Sequence, residues 1–107
     1  MEPFHIGSLH IKLPIIQGGM GVGISLSGLA SAVANEGGIG VISCAGIGLL
    51  YRQKPADFLK DCIWGIKEEL RKARAKSNGF IGINIMTALT NFSDMVCAAI
   101  QEKADFL

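Results

Sequence analysis

The stretch Leu13-Pro-Ile-Ile-Gln-Gly-Gly-Met-Gly-Val-Gly23 joins a short apolar run to a turn that carries almost no side chains. The apolar residues from Leu13 to Ile16 predict a buried strand. The glycines that follow can adopt positive φ and leave main-chain N–H groups uncovered, so the turn can lie directly against a ligand. We expect Ser25, just beyond the turn, to cap a helix that opens toward the same space.

Composition limits the classes of protein and of partner. The chain has 107 residues, half of them apolar, so it can bury a core of its own. We expect a single folded unit over residues 1–107. The formal net charge is +1 and only 18% of residues are charged, which gives no field to attract nucleic acid or an anionic membrane. We therefore expect a small molecule as the partner.

The cysteines and the amino terminus indicate a reducing cytoplasm. Cys44, Cys62 and Cys97 are odd in number and form no CxxC motif, so neither a disulfide framework nor a zinc site is expected. Met1-Glu2-Pro3 lacks the basic start and apolar block of a secretory signal. The uncharged residues 13–35 are interrupted by proline, glycine and serine, so we do not expect a membrane span there.

The order of the predicted elements is that of an α/β fold. Residues 4–11 alternate around a Gly-Ser turn and predict a hairpin. Three strand–helix units follow: strands at 13–17, 39–43 and 80–86, with helices at about 26–36, from Pro55 to Asn78-Gly79, and from Phe92 onward. Gly37-Gly38 should close the first helix, residues 44–51 should form a loop, and Ala104 to Leu107 should approach a fourth strand.

The strands are apolar throughout, which is typical of a parallel sheet covered by helices. Three such units fit an open three-layer domain, and they also fit the opening of an eight-unit barrel. Periodicity does not choose between these two architectures.

Helical spacing predicts which faces are buried. The expected core face of the second helix is Phe58, Leu59, Cys62, Ile63, Ile66, Leu70 and Ala73, and that of the third is Phe92, Met95, Val96, Ala99 and Ile100. The charged residues of the second helix, Lys67, Glu68, Glu69, Arg71, Lys72, Arg74 and Lys76, should form its solvated side.

Ligands in either architecture collect at the carboxyl ends of parallel strands. Here those ends are residues 17–23, 43–48 and 84–87, and the first two are rich in glycine. Main chain there can face a flat or phosphorylated ligand at short range. The alternative is that the glycines only make tight turns. Known nucleotide motifs do not fit, because Ile24 stands where a phosphate-binding loop needs lysine and no acidic residue ends the second strand.

Three polar or adaptable side chains near these ends have two possible roles each. Asn84 stands between Ile83 and Ile85, where burial of an amide without partners would be costly, so it either anchors a loop or addresses a ligand. Met20 and Met86 either form an adaptable apolar wall or simply fill the core.

Cys44 either faces the ligand site at the carboxyl ends of the strands or is a buried, inert thiol. His5 and His10 belong to the hairpin at the opposite end, so we expect structural roles for them.

Three segments carry a family resemblance. Pro14-Ile-Ile-Gln-Gly-Gly-Met-Gly21, Leu29-Ala-Ser-Ala-Val-Ala-Asn-Glu-Gly-Gly-Ile-Gly-Val-Ile-Ser43 and Gly82-Ile-Asn-Ile-Met86 occur in order over nearly the whole chain. Together they resemble the amino-terminal third of the FMN-dependent nitronate monooxygenases. The same pattern occurs in the flavin-dependent enoyl-acyl-carrier-protein reductases, a branch of that family.

The resemblance implies a fold and a cofactor. The fold would be the first three βα units of a TIM (β/α)8 barrel after an N-terminal hairpin, with FMN at the carboxyl-end face. The Gly18-Gly19-Met20 backbone would lie along the isoalloxazine ring, and Asn84 would hydrogen-bond its polar side. The implied cofactor-binding residues are Gln17, Gly18, Gly19, Met20, Ser43, Cys44, Asn84 and Met86.

The resemblance also implies a reaction, but two parts of the family's active site have no counterpart among the residues of this sequence. Monooxygenase members oxidise alkyl nitronates with oxygen, whereas reductase members use NAD(P)H to reduce an enoyl thioester. Family members take a catalytic histidine and a phosphate site from later in the barrel, and His5 and His10 match neither. We therefore expect the amino-terminal part of a flavoenzyme without its own catalytic residue. The alternative is a non-catalytic half-barrel that associates with a second copy.

Overall fold

The structure, a computed structural model that covers residues 1–107, contains four strands and four helices. In chain order they are β1 Phe4–Ile6, β2 Leu9–Ile11, α1 Ser27–Asn35, β3 Ile39–Ser43, α2 Ile47–Leu50, α3 Phe58–Lys76, β4 Phe80–Asn84 and α4 Phe92–Gln101. This confirms the α/β class. No helix combines the length and the apolar content needed to cross a membrane.

The predicted hairpin is confirmed. β1 and β2 pair antiparallel with Phe4 opposite Ile11 and His5 opposite His10. Gly7 lies in the turn with φ 58°, a left-handed conformation that a side chain would strain.

The central sheet is parallel, and its segments are neighbours in sequence order. β3 pairs with β4 in a register that sets Ile39 opposite Phe80. A single bridge joins Ile16 to Ile39 on one edge, and another joins Gly82 to Phe106 on the other, both parallel. The approach to a fourth strand at Phe106 is thus confirmed. A doubly wound domain places its first strand in the interior of the sheet, with a strand on each side, whereas here the first segment lies at the edge.

The prediction of a buried first strand is wrong. Ile15 and Ile16 are 43% and 59% exposed, and residues 13–17 contribute only the bridge and its flanking hydrogen bonds. The segment has a neighbour on one side only, and the main chain leaves the sheet after Gln17. The side chain of Gln17 then continues the pairing in place of the backbone.

Helix α1 packs very closely on the strands because its partners are glycines. A Cβ atom on Gly40 would lie 1.8 Å from the carbonyl oxygen of Ala30, and one on Gly79 would lie 2.4 Å from that of Ala34. The helix ends as predicted, with Gly37 at φ 96° and its N–H donating to Ala34.

The beginning of α1 differs from the prediction. Leu26 occupies the N-cap position and supplies no side-chain hydrogen bond, so Ser25 is not the cap. The N–H of Ser27 instead donates to the carboxylate of Glu69 on α3, at 2.9 Å. A negative charge at this end also suits the helix dipole.

The connection between β3 and α3 also differs. The predicted loop at 44–51 contains the one-turn helix α2, and Gly46 precedes it with φ 68°. The next helix begins at Phe58 rather than at Pro55, because Asp57 caps it by accepting from the N–H of Lys60 at 3.2 Å.

The predicted core faces are right in their centres and wrong at their margins. Cys62, Ile66, Leu70 and Ala73 of α3 are buried, but Phe58 is exposed and Glu69 is buried rather than solvated. On α4, Met95 and Ala99 are buried as expected. Ala98 is buried and Ile100 is exposed, because residues two apart point to nearly opposite sides of a helix.

Candidate functional site

A cleft of about 450 Å³ lies along the parallel sheet and reaches the glycine-rich turn. Apolar side chains line most of it, and two amides, Gln17 and Asn84, stand among them. The lining residues are Ile6, Ile16, Gln17, Gly18, Gly19, Ile39, Val41, Gly82, Ile83, Asn84, Phe106 and Leu107. None of their side chains is charged, so the cleft suits an apolar ligand with a polar edge.

Gln17 fixes the place where the main chain leaves the sheet. Its Nε2 donates to the carbonyl of Val41 at 3.0 Å, and its Oε1 accepts from the N–H of Val41 at 3.1 Å. The same Nε2 reaches Ser25 Oγ at 3.0 Å and the carbonyl of Gly18 at 3.1 Å. The amide of Gln17 is therefore engaged with the protein, although the residue lines the cleft.

The side chain of Ser25 does not cap α1 but binds the backbone of the glycine-rich turn. Its hydroxyl is fully buried, accepts from the N–H of Met20 at 2.9 Å and donates to the carbonyl of Gly18 at 3.3 Å. Together with Gln17 it closes residues 17–25 into a fixed loop. A ligand would meet a pre-formed turn.

Gly18 and Gly19 differ in what surrounds them. A Cβ atom on Gly19 would lie 2.6 Å from the Cβ of Asn84, so the turn packs directly on that residue. A Cβ atom on Gly18 would meet nothing within 4 Å. The main-chain N–H groups of both glycines donate to no protein acceptor. The turn thus presents open backbone, with two donors, at the mouth of the cleft.

Asn84 is the last residue of β4 and is exposed on the cleft. Its carbonyl accepts from the N–H of Cys44 at 3.0 Å, but its side-chain amide makes no hydrogen bond to the protein. The amide does not anchor a loop. One donor group and one acceptor are free beside the Gly18-Gly19 backbone.

The second glycine-rich loop packs on the first and stays outside the cleft. A Cβ atom on Gly21 would lie 2.6 Å from the Cβ of Ala45, and one on Gly46 would lie 2.6 Å from a methyl group of Val22. At Gly21 and Gly46, close packing accounts for glycine without a ligand.

Four of the eight predicted cofactor-binding residues line the cleft, and the other four are not part of its lining. Gln17, Gly18, Gly19 and Asn84 line the cleft. Met20 and Met86 are each 53% exposed and stand outside the lining, so neither fills the core. Ser43 and Cys44 are buried.

The thiol of Cys44 has the character of a core residue. Burial, reinforced by the nearby Cys62, raises its pKa to about 12. A thiol that stays protonated is a poor nucleophile and a poor redox group. Of the two interpretations of Cys44, the inert core thiol agrees with the structure.

The apolar wall of the cleft was not predicted from the sequence. Ile39 and Val41 share one face of β3, Gly82 shares that face on β4, and Phe106 continues it. The period-2 alternation of strands could have identified this face. The sequence pattern did not show this face, because the residues on the opposite face of the same strands are apolar as well.

The polar clusters outside the cleft include one that ties α3 to α1 and to the segment after α2. Glu69 accepts from the N–H of Ser27 and from the hydroxyl of Tyr51, and the Nζ of Lys72 lies 3.4 Å from it. Burial alone would raise the pKa of this carboxyl, but the hydrogen bonds from Tyr51 and Ser27 hold it below its ordinary value. This cluster is structural.

Comparison with known proteins bears on the whole chain. The sequence model of the nitronate monooxygenase family matches residues 2–105. A search of curated proteins found no match. The family match contains the hairpin, the parallel sheet and every residue that lines the cleft except Phe106 and Leu107. The chain therefore belongs to the nitronate monooxygenase family.

Proposed function

We propose that this chain supplies one flank of the FMN site of an oxidoreductase that oxidises alkyl nitronates with oxygen. Family membership indicates a flavin-dependent oxidoreductase in general. The observation that carries the finer proposal is the open Gly18 backbone beside the free amide of Asn84, above an apolar cleft.

The shape and polarity of this site fit a flat ring with a polar edge. The open side of Gly18 leaves room for a ring where any side chain would intrude. The polar edge could accept hydrogen bonds from the N–H groups of Gly18 and Gly19 and pair with the amide of Asn84. The apolar part would then lie against Ile16 and Val41. Bound FMN would accept electrons from the nitronate and pass them to oxygen.

The lining supports a division of the FMN site between this chain and other parts of a barrel. No lysine or arginine lines the cleft, and its free N–H groups, those of Gly18 and Gly19, are assigned in this proposal to the polar edge of the ring. We therefore propose that the chain holds the ring and that other βα units of a barrel hold the phosphate and the catalytic base. The sequential order of the parallel segments supports a barrel.

The reductase branch differs from this proposal in its electron donor and substrate. Such a protein would oxidise NAD(P)H and reduce an enoyl thioester at the same flank. Turnover assays of the parent enzyme with a nitronate and with an enoyl thioester separate the two branches.

Flavin titration of the 107-residue chain tests the proposed ring site. We expect weak, saturable quenching of flavin fluorescence and no flavin retained after gel filtration. Riboflavin and FMN should bind within about threefold of each other, because no cation in the cleft recognises the phosphate. The proposal would be contradicted if neither flavin bound, or if the chain kept a stoichiometric flavin spectrum after gel filtration.

A second candidate function is a non-catalytic half-barrel that pairs with another copy of itself. The exposed Ile15 and Ile16 favour it, since an apolar edge of a parallel sheet is rarely left open to water. Sedimentation velocity would then show a dimer, and neither flavin would bind. A monomer that binds riboflavin excludes this candidate.

A further inference from the structure

The hairpin carries the only two histidines of the chain, and their side chains meet. His5 and His10 face each other across β1 and β2. Directly opposed residues in an antiparallel pair place their Cβ atoms about 4.5–5.5 Å apart, close enough for two imidazoles to share one ligand. Both rings are exposed, so neither is part of the core.

The ring nitrogens are separated by the span of a metal chelate. Nδ1 of His10 lies 3.2 Å from Nε2 of His5. Two nitrogens bound to one tetrahedral ion at about 2.05 Å each lie about 3.3 Å apart. The rings are inclined by 52° and their centroids are 4.7 Å apart, so they are not stacked face to face. The gap between the two nitrogens therefore matches the bite of two imidazole ligands.

We propose that His5 and His10 form a two-histidine site for a divalent transition metal of the Zn²⁺, Cu²⁺ or Ni²⁺ type. Neutral imidazole nitrogen is a preferred ligand of these ions. In the metal-free hairpin the N–H of one ring donates a hydrogen bond to the unprotonated nitrogen of the other, and that proton stays on its own ring. On binding, that proton moves to the second nitrogen of its own ring, so both rings stay neutral and each offers a lone pair.

The remaining coordination positions belong to water. No group of three or more histidine, cysteine, aspartate or glutamate side chains lies together in the chain. A closed structural zinc site has four protein ligands, whereas this site has two. We therefore expect weaker, reversible binding than at a closed site, with a dissociation constant below about 1 mM.

Metal binding at this place would stabilise the hairpin and one border of the cleft. A two-stranded hairpin is marginally stable alone, and a cross-strand metal links its two strands. Ile6 of the same hairpin lines the cleft. The site is independent of the flavin proposal, because His5 and His10 do not line the cleft.

Isothermal titration of the tag-free 107-residue chain with ZnCl2, and then with NiCl2, tests the site. We expect one equivalent of metal to bind and EDTA to reverse it. His5→Ala and His10→Ala should each weaken binding by at least about tenfold, since each leaves a single imidazole. Cys97→Ser is the matched control, because Cys97 is the exposed thiol, and its affinity should be unchanged.

A second measurement keeps the test valid if either substitution disturbs the hairpin. In ¹⁵N spectra of the imidazoles, Zn²⁺ should shift Nε2 of His5 and Nδ1 of His10 as the metal-bound nitrogens. Binding that survives either histidine substitution, shifts at the opposite nitrogens, or no binding at about 1 mM metal would overturn the proposal.

Discussion

Gly19 and Asn84 touch backbone to side chain: a Cβ atom on Gly19 would lie 2.6 Å from the Cβ and 3.0 Å from the Cγ of Asn84. This contact joins the turn after the first parallel segment to the end of β4, two segments away in the sheet order. It places Asn84, whose amide is free, against the turn that also carries the open backbone of Gly18. The proposed ring site depends on this placement.

Gly19→Ala should destabilise the fold. The new methyl group meets the root of the Asn84 side chain, which cannot swing away, so the turn must shift. We expect a loss of about 1–3 kcal/mol in the free energy of unfolding, measured with urea. Gly28→Ala is the control, because a Cβ atom there meets nothing within 4 Å inside α1, and it should stabilise by about 0.5–1 kcal/mol. Equal stabilities of the two variants would show that the contact with Asn84 is loose.

Gly18→Ala should leave the fold intact and block the ring. Its Cβ atom would occupy open space at the mouth of the cleft, so stability should change by less than about 0.5 kcal/mol. Riboflavin affinity, measured by fluorescence quenching, should fall by at least about tenfold, equivalent to 1.4 kcal/mol. If riboflavin binds to Gly18→Ala as to the parent chain, the ring does not lie against this turn.

Asn84→Ala should weaken flavin binding without unfolding the chain. Alanine keeps the Cβ that packs on Gly19, and the amide that it removes has no protein partner. Stability should stay within about 0.5 kcal/mol, and riboflavin affinity should fall about tenfold, as for the loss of a hydrogen bond. Asn78→Ala, an exposed asparagine in the turn after α3, should change neither. Unfolding of Asn84→Ala, with normal flavin affinity in the folded fraction, would make Asn84 a structural residue.

The sequence predicted those elements correctly whose conformation depends on neighbouring residues. The hairpin turn at Gly7, the left-handed end of α1 at Gly37 and the buried strand β3 all follow from neighbouring residues. The glycines of the first turn, Gly18 and Gly19, also located the mouth of the cleft. Nothing in the sequence separated Gly18, which is open, from Gly21, which packs on Ala45. That difference depends on contacts between segments more than twenty residues apart.

The wrong predictions also arise from contacts between segments that are distant in the sequence. Ser25 has the residue type and position of a helix cap, but a buried hydroxyl next to Gln17 and Gly18 finds better partners in the turn. Glu69 lies among charged neighbours on α3, and its position predicted exposure to solvent. In the structure it accepts a hydrogen bond from the N–H of Ser27 at the amino-terminal end of α1. In both cases a tertiary partner outweighed the local preference.

Gln17→Ala should loosen the border between the first segment and β3. The substitution leaves the N–H and the carbonyl of Val41 without their partners and frees Ser25 from one hydrogen bond. We expect a loss of about 1–3 kcal/mol in the free energy of unfolding. Hydrogen exchange of the Val41 amide should also become faster. Gln101→Ala, at the exposed end of α4, should do neither, and unchanged protection of Val41 would refute this role of Gln17.

Glu69 should give the fold a specific dependence on pH. Its pKa in the folded chain lies below its ordinary value of 4.5, so between these two values the unfolded chain binds more protons than the folded one. Stability from this group is therefore fully present above about pH 4.5 and is lost as the pH falls through the folded pKa. Glu69→Gln should cost about 1–3 kcal/mol at pH 7, because the carboxylate that accepts from Ser27 and Tyr51 is gone.

Its neighbour Glu68 provides the matched comparison on the same helix. Glu68 pairs with Arg71, whose side chain is 53% exposed, so solvent screens this pair. Urea unfolding between pH 7 and the acid range should show a steep loss for the parent chain and for Glu68→Gln, and a flatter profile for Glu69→Gln. Parallel profiles for all three would mean that the charge of Glu69 does not hold α1 to α3. A flattened profile for Glu69→Gln alone would establish that this single buried carboxylate links the amino-terminal end of α1 to α3.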